Sequence, residues 1–109
     1  MQRVAQIISL RPEQIQRYKE IHAAVWPEVL ATIAACGITN YSIFLREPEN
    51  LLFAYFEYHG TDYAADQAKM AADPKTQEWW AITDPMQQRL DTASEGEWWA
   101  PAEEVFHVD

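Results

Sequence analysis

Thr39-Asn-Tyr-Ser-Ile-Phe-Leu-Arg46 and Leu51-Leu-Phe-Ala-Tyr-Phe-Glu-Tyr58, joined by Glu47-Pro-Glu-Asn50, decide how this chain folds. Two runs rich in β-branched and aromatic residues, separated by four turn-prone ones, read as a β-hairpin. In the first run Tyr41, Ile43 and Leu45 alternate with Asn40, Ser42 and Phe44. The second is apolar on both sides, with Phe53 and Tyr55 on one and Leu52, Ala54 and Phe56 on the other. A sheet with two apolar faces needs two covers.

Working outward, residues 3–10 (RVAQIISL) form a first strand closed by Arg11-Pro12. A helix is predicted from about Pro12 to Cys36, with Gly37 as its stop signal. After the hairpin, residues 60–90 are helical, with Thr61 or Asp62 as N-cap and interruptions at Pro74 and Pro85. Beyond the polar loop 91–97 (DTASEGE), residues 103–108 (EEVFHV) give a short last strand. The order βαββαβ predicts an α+β fold of the ferredoxin-like, split βαβ type: an antiparallel sheet with its helices on one face. A second copy is expected to cover the other face, giving a face-to-face homodimer, a dimeric α/β barrel. The 109 residues, 1–109, fit one domain.

Composition narrows the function. The net charge is −9 with only eight Lys and Arg, so no basic surface exists for nucleic acid, and an anionic membrane would repel the chain. The ligand is therefore neutral or cationic. The single Cys36 excludes an internal disulfide, and beside Gly37 at a helix end, with no charged activator, it reads as a buried thiol. No signal-peptide pattern and no apolar run near the ~20 residues of a membrane span are present, so a cytoplasmic location is expected.

The candidate site begins on the first helix. At about 100° per residue, Ile15, Tyr18, His22, Trp26, Val29 and Ile33 share one face, opposite Gln16, Arg17 and Glu20. A lone histidine on such a face is ordinarily a hydrogen-bonded core residue. Here a tyrosine hydroxyl stands one turn from an imidazole in an aromatic wall, and their polar tips need partners that Ile and Val cannot supply. A ligand can. Pro27 removes the hydrogen bond to the Ala23 carbonyl and bends the helix, opening space beyond His22. In Trp79-Trp80 the two side chains diverge by about 100°, so one enters the core and the other lines a cavity. Trp98-Trp99, in a loop, call for help from a partner subunit or a ligand.

The three histidines, His22, His59 and His107, are too far apart for zinc-type spacing, so no metal site is expected. No glycine-rich phosphate loop or Gly-x-Ser-x-Gly elbow occurs. What remains is proton transfer by His, Tyr and a carboxylate such as Asp84. Aromatic walls suit a sugar, whose C–H faces stack on rings while its hydroxyls bond to polar tips.

Taken together, RYKEIHAAVWPE (17–28), NYSIFL (40–45), NLLFAYFE (50–57), WWAITD (79–84) and EVFHVD (104–109) resemble the L-rhamnose mutarotase family over nearly the whole chain. The resemblance implies a dimeric ferredoxin-like fold and cofactor-free interconversion of the α and β anomers of a 6-deoxy-L-sugar. It implies His22 as proton donor and Tyr18, Tyr41, Trp79 and Trp80 as sugar contacts. Asp84 as a base and Trp26 as a supporting residue are candidates that the resemblance does not assign. The chain departs from the family pattern before the last strand, where DTASEGEWWAPA (91–102) replaces an Asn-Pro-Asp-Asn-like loop. That loop is where a choice of L-fucose or another sugar would be made. Other readings of the same scaffold are a cofactor-free monooxygenase, a haem-degrading enzyme, or a non-catalytic sugar-binding module.

Overall fold

In the computed structural model, which describes residues 1–109, the hairpin is central. Strands β2 (Ile38–Arg46) and β3 (Leu51–Tyr58) pair antiparallel, with Phe44 opposite Phe53 and Leu45 opposite Leu52. Strand β1 (Gln2–Leu10) pairs antiparallel with the other edge of β3, setting Ile8 opposite Leu52 and Val4 opposite Phe56. Two short strands, β4 (Gln87–Gln88) and β5 (Ala100–Ala102), both pair antiparallel with β1, and the sheet order is β2-β3-β1-β4.

A bulge in β2 shapes the inner face. The register shifts by one residue between Thr39 and Ser42, with Asn40 at φ +48°, a conformation that Asn tolerates better than most residues. The extra residue lets Ile38, before the bulge, and Ile43, beyond it, share a side despite their odd spacing. Their partners on β3, Tyr58 and Ala54, are both buried on that side.

The single long helix expected between Pro12 and Cys36 is not formed. A 3-10 turn (Pro12–Gln14) leads into α1 (Ile15–His22), four residues leave the helix, and α2 (Pro27–Ala35) begins afresh. Proline's ring excludes the helical region for the residue before it, and Trp26 accordingly sits at ψ 134°. Pro27 is thus the first residue of a new helix, where its missing N–H costs nothing, instead of a kink in an old one. Gly37, at φ +81°, ends α2 as expected; a Cβ there would lie 3.1 Å from the Gly60 nitrogen. The Asp62 carboxylate caps α3 (Tyr63–Ala72) by accepting from the Ala65 N–H at 3.1 Å. Asp73 caps α4 (Pro74–Thr83) by accepting from the N–H and hydroxyl of Thr76, both at 2.9 Å. Both predicted interruptions stand, Pro85 falling in a second 3-10 turn (Asp84–Met86).

The helices cover the β3 side chains Leu52, Ala54, Phe56 and Tyr58, none more than 3% exposed. One core cluster joins Ile8, Leu10, Tyr18, Leu52 and Met86, and another joins Cys36, Ile38, Phe56 and Met70. Cys36 is fully buried, and burial pushes its thiol pKa up, which makes it inert filling. On the opposite face Phe44 is 63% and Phe53 40% exposed, in a cross-strand row that continues to Ile7 and Ala100.

The last strand lies elsewhere than predicted. It is Ala100–Ala102, while residues 103–108 lie outside the sheet with Val105, Phe106 and Val108 exposed. Arg3 holds Glu104 at 2.6 Å, the partner that continued register would give it, but beyond that pair the apolar side chains have no surface within one chain to rest on. No helix is long and apolar enough to cross a membrane.

Candidate active site

The broken first helix brings the aromatic residues together differently from a straight line along one face. His22 ends α1 and stacks on Tyr18 one turn back, with ring centroids 4.0 Å apart and planes at 27°. The next ring is Trp79 from α4, edge-on to His22 at 5.4 Å. Trp26, carried away by the break, packs edge-on to Trp79 at 5.2 Å, with the Lys75 ammonium 5.9 Å over its ring. The ring contacts therefore run Tyr18, His22, Trp79, Trp26, and Trp26 does not line the cavity.

Tyr18, His22, Tyr41, Trp79, Trp80 and Asp84 line one cavity of about 810 Å³ between the helices and the inner face of the sheet. That volume falls in the range of small-molecule sites. The two indoles of α4 do not divide into one core and one cavity residue as predicted. Trp79 is 6% exposed and Trp80 packs against the Cys36 cluster, yet both reach the cavity, because its wall is also the edge of the core.

Histidine 22 is held at one ring nitrogen. Its Nδ1–H donates to the Tyr18 carbonyl oxygen at 2.8 Å, a bond that fixes the tautomer and leaves Nε2 free. Desolvation lowers its pKa, and the bond to Tyr18 opposes that shift. For Tyr18, desolvation raises the pKa to about 12 while the bond from Gln87 lowers it, so the phenol stays protonated near neutrality. Tyr41 is 38% exposed, desolvation raises its pKa, and its ring rests on Phe56 at 5.3 Å. Asp84 caps α4, and partial desolvation raises its pKa.

Several lining residues carried no signal in the sequence. Gln87, only 4% exposed, donates from Nε2 to the Tyr18 hydroxyl at 3.3 Å and accepts from the Trp98 indole N–H at 2.8 Å. Gln67 reaches the wall from α3, and its Nε2 is enclosed with no hydrogen-bond partner. Trp98 and Trp99 also line the cavity, and the chain itself holds them: Trp98 through Gln87, Trp99 against the Ile8 cluster. Their loop placement had suggested a need for outside help. His59 is exposed and His107 pairs with Asp109 at 2.8 Å, so neither joins the site. No three His, Cys, Asp or Glu side chains are grouped to hold a metal ion.

The model of the L-rhamnose mutarotase family matches residues 3–108. An L-rhamnose mutarotase from Listeria monocytogenes is 41% identical over 86 residues, covering 79% of this chain and 80% of its own. One from Oceanobacillus iheyensis is 32% identical with complete coverage of both chains. The crystal structure of an L-rhamnose mutarotase from Formosa agariphila superposes with a TM-score of 0.79 at 30% identity, again over the whole of both chains. With sequence and fold matched along its length, the chain belongs to the L-rhamnose mutarotase family.

Proposed function

We infer that this protein is an isomerase that interconverts the α and β anomers of L-rhamnose, with His22 as its proton donor. The observation that carries the residue assignment is the 2.8 Å bond from Nδ1 to the Tyr18 carbonyl, which leaves Nε2 available beside an aromatic cavity. Desolvation makes the imidazolium a readier acid than a solvated one.

In the mechanism, Nε2–H protonates the pyranose ring oxygen while a base removes the proton of the anomeric hydroxyl. The C1–O5 bond breaks and C1 becomes an aldehyde. Rotation about C1–C2 presents the other face, and reversal of both proton transfers closes the ring as the opposite anomer. Asp84 is our candidate base: it lines the same cavity, and its raised pKa makes it a better proton acceptor than a fully solvated carboxylate. Tyr18, Tyr41, Trp79 and Trp80 hold the sugar, hydroxyls bonding to its oxygens and indoles to its C–H faces. Positioned acids and bases contribute typically ~10²–10⁴-fold, enough for a reaction that already proceeds in water without metal or cofactor.

We further propose that the chain works as a cytoplasmic homodimer on a ferredoxin-like frame. The strand order β2-β3-β1-β4, with helices against one face, supports the frame. The exposed pair Phe44 and Phe53, flanked by the half-buried Ile7, with the uncovered Val105, Phe106 and Val108, supports a second copy as the missing cover.

Saturation-transfer NMR on L-rhamnose, L-fucose and D-glucose tests the activity. Accelerated α–β exchange of L-rhamnose is expected; exchange at the solvent rate would refute the assignment, and faster exchange of L-fucose would correct the sugar.

A further inference from the structure

Gln87 has no part in the mechanism above, yet it is among the most buried polar side chains and joins the loop to the site. It lies in β4, opposite Leu10 of β1, and its amide is held at both ends. The Trp98 indole nitrogen, 2.8 Å from Oε1, can only donate, so it dictates which end of the amide faces which way. Nε2 must then face Tyr18, whose hydroxyl oxygen accepts at 3.3 Å. A phenol that accepts there still has its own proton, and no protein group accepts it. The cavity is the remaining direction.

Trp98 is a fixed donor because its loop is fixed. The Arg89 guanidinium donates to three backbone carbonyls of that loop, Glu97 at 2.7 Å, Ala93 at 2.8 Å and Ser94 at 2.7 Å. The Glu97 carboxylate accepts from the Ser94 N–H at 2.8 Å. The order of control is Arg89, loop, Trp98, Gln87, Tyr18.

We propose that Gln87, oriented by Trp98, is a positioning residue that commits the Tyr18 hydroxyl to donating a hydrogen bond to the bound sugar. Because Tyr18 stacks on His22, the acceptor is a sugar oxygen close to the ring oxygen that His22 protonates. The loop that departs from the family pattern thus acts on the sugar by setting the polarity of one hydrogen bond. This role rests on the mutarotase reading.

The test is a double-mutant cycle. KM and kcat for L-rhamnose exchange are measured by NMR for wild type, Gln87→Glu, Trp98→Phe and Tyr18→Phe, and for each of the first two changes combined with Tyr18→Phe. The carboxylate introduced by Gln87→Glu accepts from both neighbours and captures the Tyr18 proton, so KM should rise about tenfold, the size of one hydrogen bond, with kcat nearly kept. Trp98→Phe keeps the ring but frees the amide to turn, and KM should rise about threefold, within the net range of a lost hydrogen bond. In the Tyr18→Phe background neither change should have a further effect, since all act through one hydroxyl. Should the buried carboxylate prevent folding, Trp98→Phe decides alone, its side chain being 39% exposed. Unchanged KM in a folded variant, or effects that add to that of Tyr18→Phe, would overturn the role while leaving the activity standing. Wild-type protein with no exchange activity would remove both.

Discussion

His22→Asn separates proton transfer from architecture. The asparagine amide nitrogen falls near the position of Nδ1, so the 2.8 Å bond to the Tyr18 carbonyl can be retained while the titrating Nε2 is deleted. Structural losses are confined to the ring contacts with Tyr18 and Trp79, each worth about 0.5–1.5 kcal/mol. A domain with ordinary stability of about 5–15 kcal/mol survives that. The catalytic loss is larger: removing a positioned acid costs ~10²–10⁴-fold, or about 2.7–5.4 kcal/mol of barrier. Saturation-transfer NMR should therefore show α–β exchange falling at least a hundredfold, while tryptophan fluorescence still reports sugar binding. A folded variant keeping more than about a tenth of the rate would remove His22 from the mechanism, because a lost acid costs at least ~10²-fold. Stability against pH gives an independent reading. In the unfolded chain His22 takes up its proton near about 6.5, whereas in the fold desolvation delays uptake to lower pH. The unfolded state then binds more protons between those two values, so this contribution is complete above about pH 6.5 and is lost as pH falls through the folded pKa. Urea melts at several pH values should show that decline in wild type and a shallower one in His22→Asn.

Three further outcomes follow from the same geometry. The kcat/KM for exchange should fall as pH rises through the His22 pKa, which desolvation holds below the ordinary value of about 6.5, and Asp84→Asn should remove the fall on the acid side; a rate that only climbs with pH would make His22 a base instead. Leu52→Ala, at a side chain 1% exposed in the cluster that holds Tyr18, should cost about 2–5 kcal/mol in urea denaturation, and a loss below about 1 would mean the site collapses around the gap. If the proposed dimer forms through this face, Phe44→Asp with Phe53→Lys should give a monomer by light scattering, and a dimeric mass kept in the variant would place the interface elsewhere.

What the sequence disclosed was what one-dimensional pattern encodes. The hairpin, both aspartate or glycine helix signals at Asp62 and Gly37, and the inward turn of Tyr18 and His22 follow from period and capping chemistry. Pro27 was legible as a disturbance, but whether a proline bends a helix or begins one turns on the conformation of Trp26, which is extended at ψ 134° and packs edge-on against Trp79 of α4. The bulge at Asn40 was hidden because alternation in Asn40–Leu45 is locally regular and the extra residue shows only against β3. Gln87 was invisible for the same reason: a glutamine in MQQRL is ordinary until Tyr18 and Trp98 meet it from 69 and 11 residues away. EEVFHV has the alternation of a strand, yet pairing needs a surface as well as a pattern, and within one chain that surface ends near Arg3.

Tyr18 shows why a small fold can hold this chemistry rigidly. It belongs at once to the core cluster of Ile8, Leu10, Leu52 and Met86 and to the cavity wall, and its carbonyl fixes the imidazole that its ring stacks upon. Packing that secures the core therefore also fixes the imidazole, so ordering the site before a sugar arrives requires no separate loop closure. The same sharing restricts what can vary. A change at Tyr18, Leu52 or Trp79 alters stability and site together, whereas a change in the loop reaches Tyr18 only through Trp98 and Gln87, leaving the core in place. Under the proposed mechanism, a chain that keeps its acid and adjusts its sugar has one economical position for that adjustment, the segment 91–102.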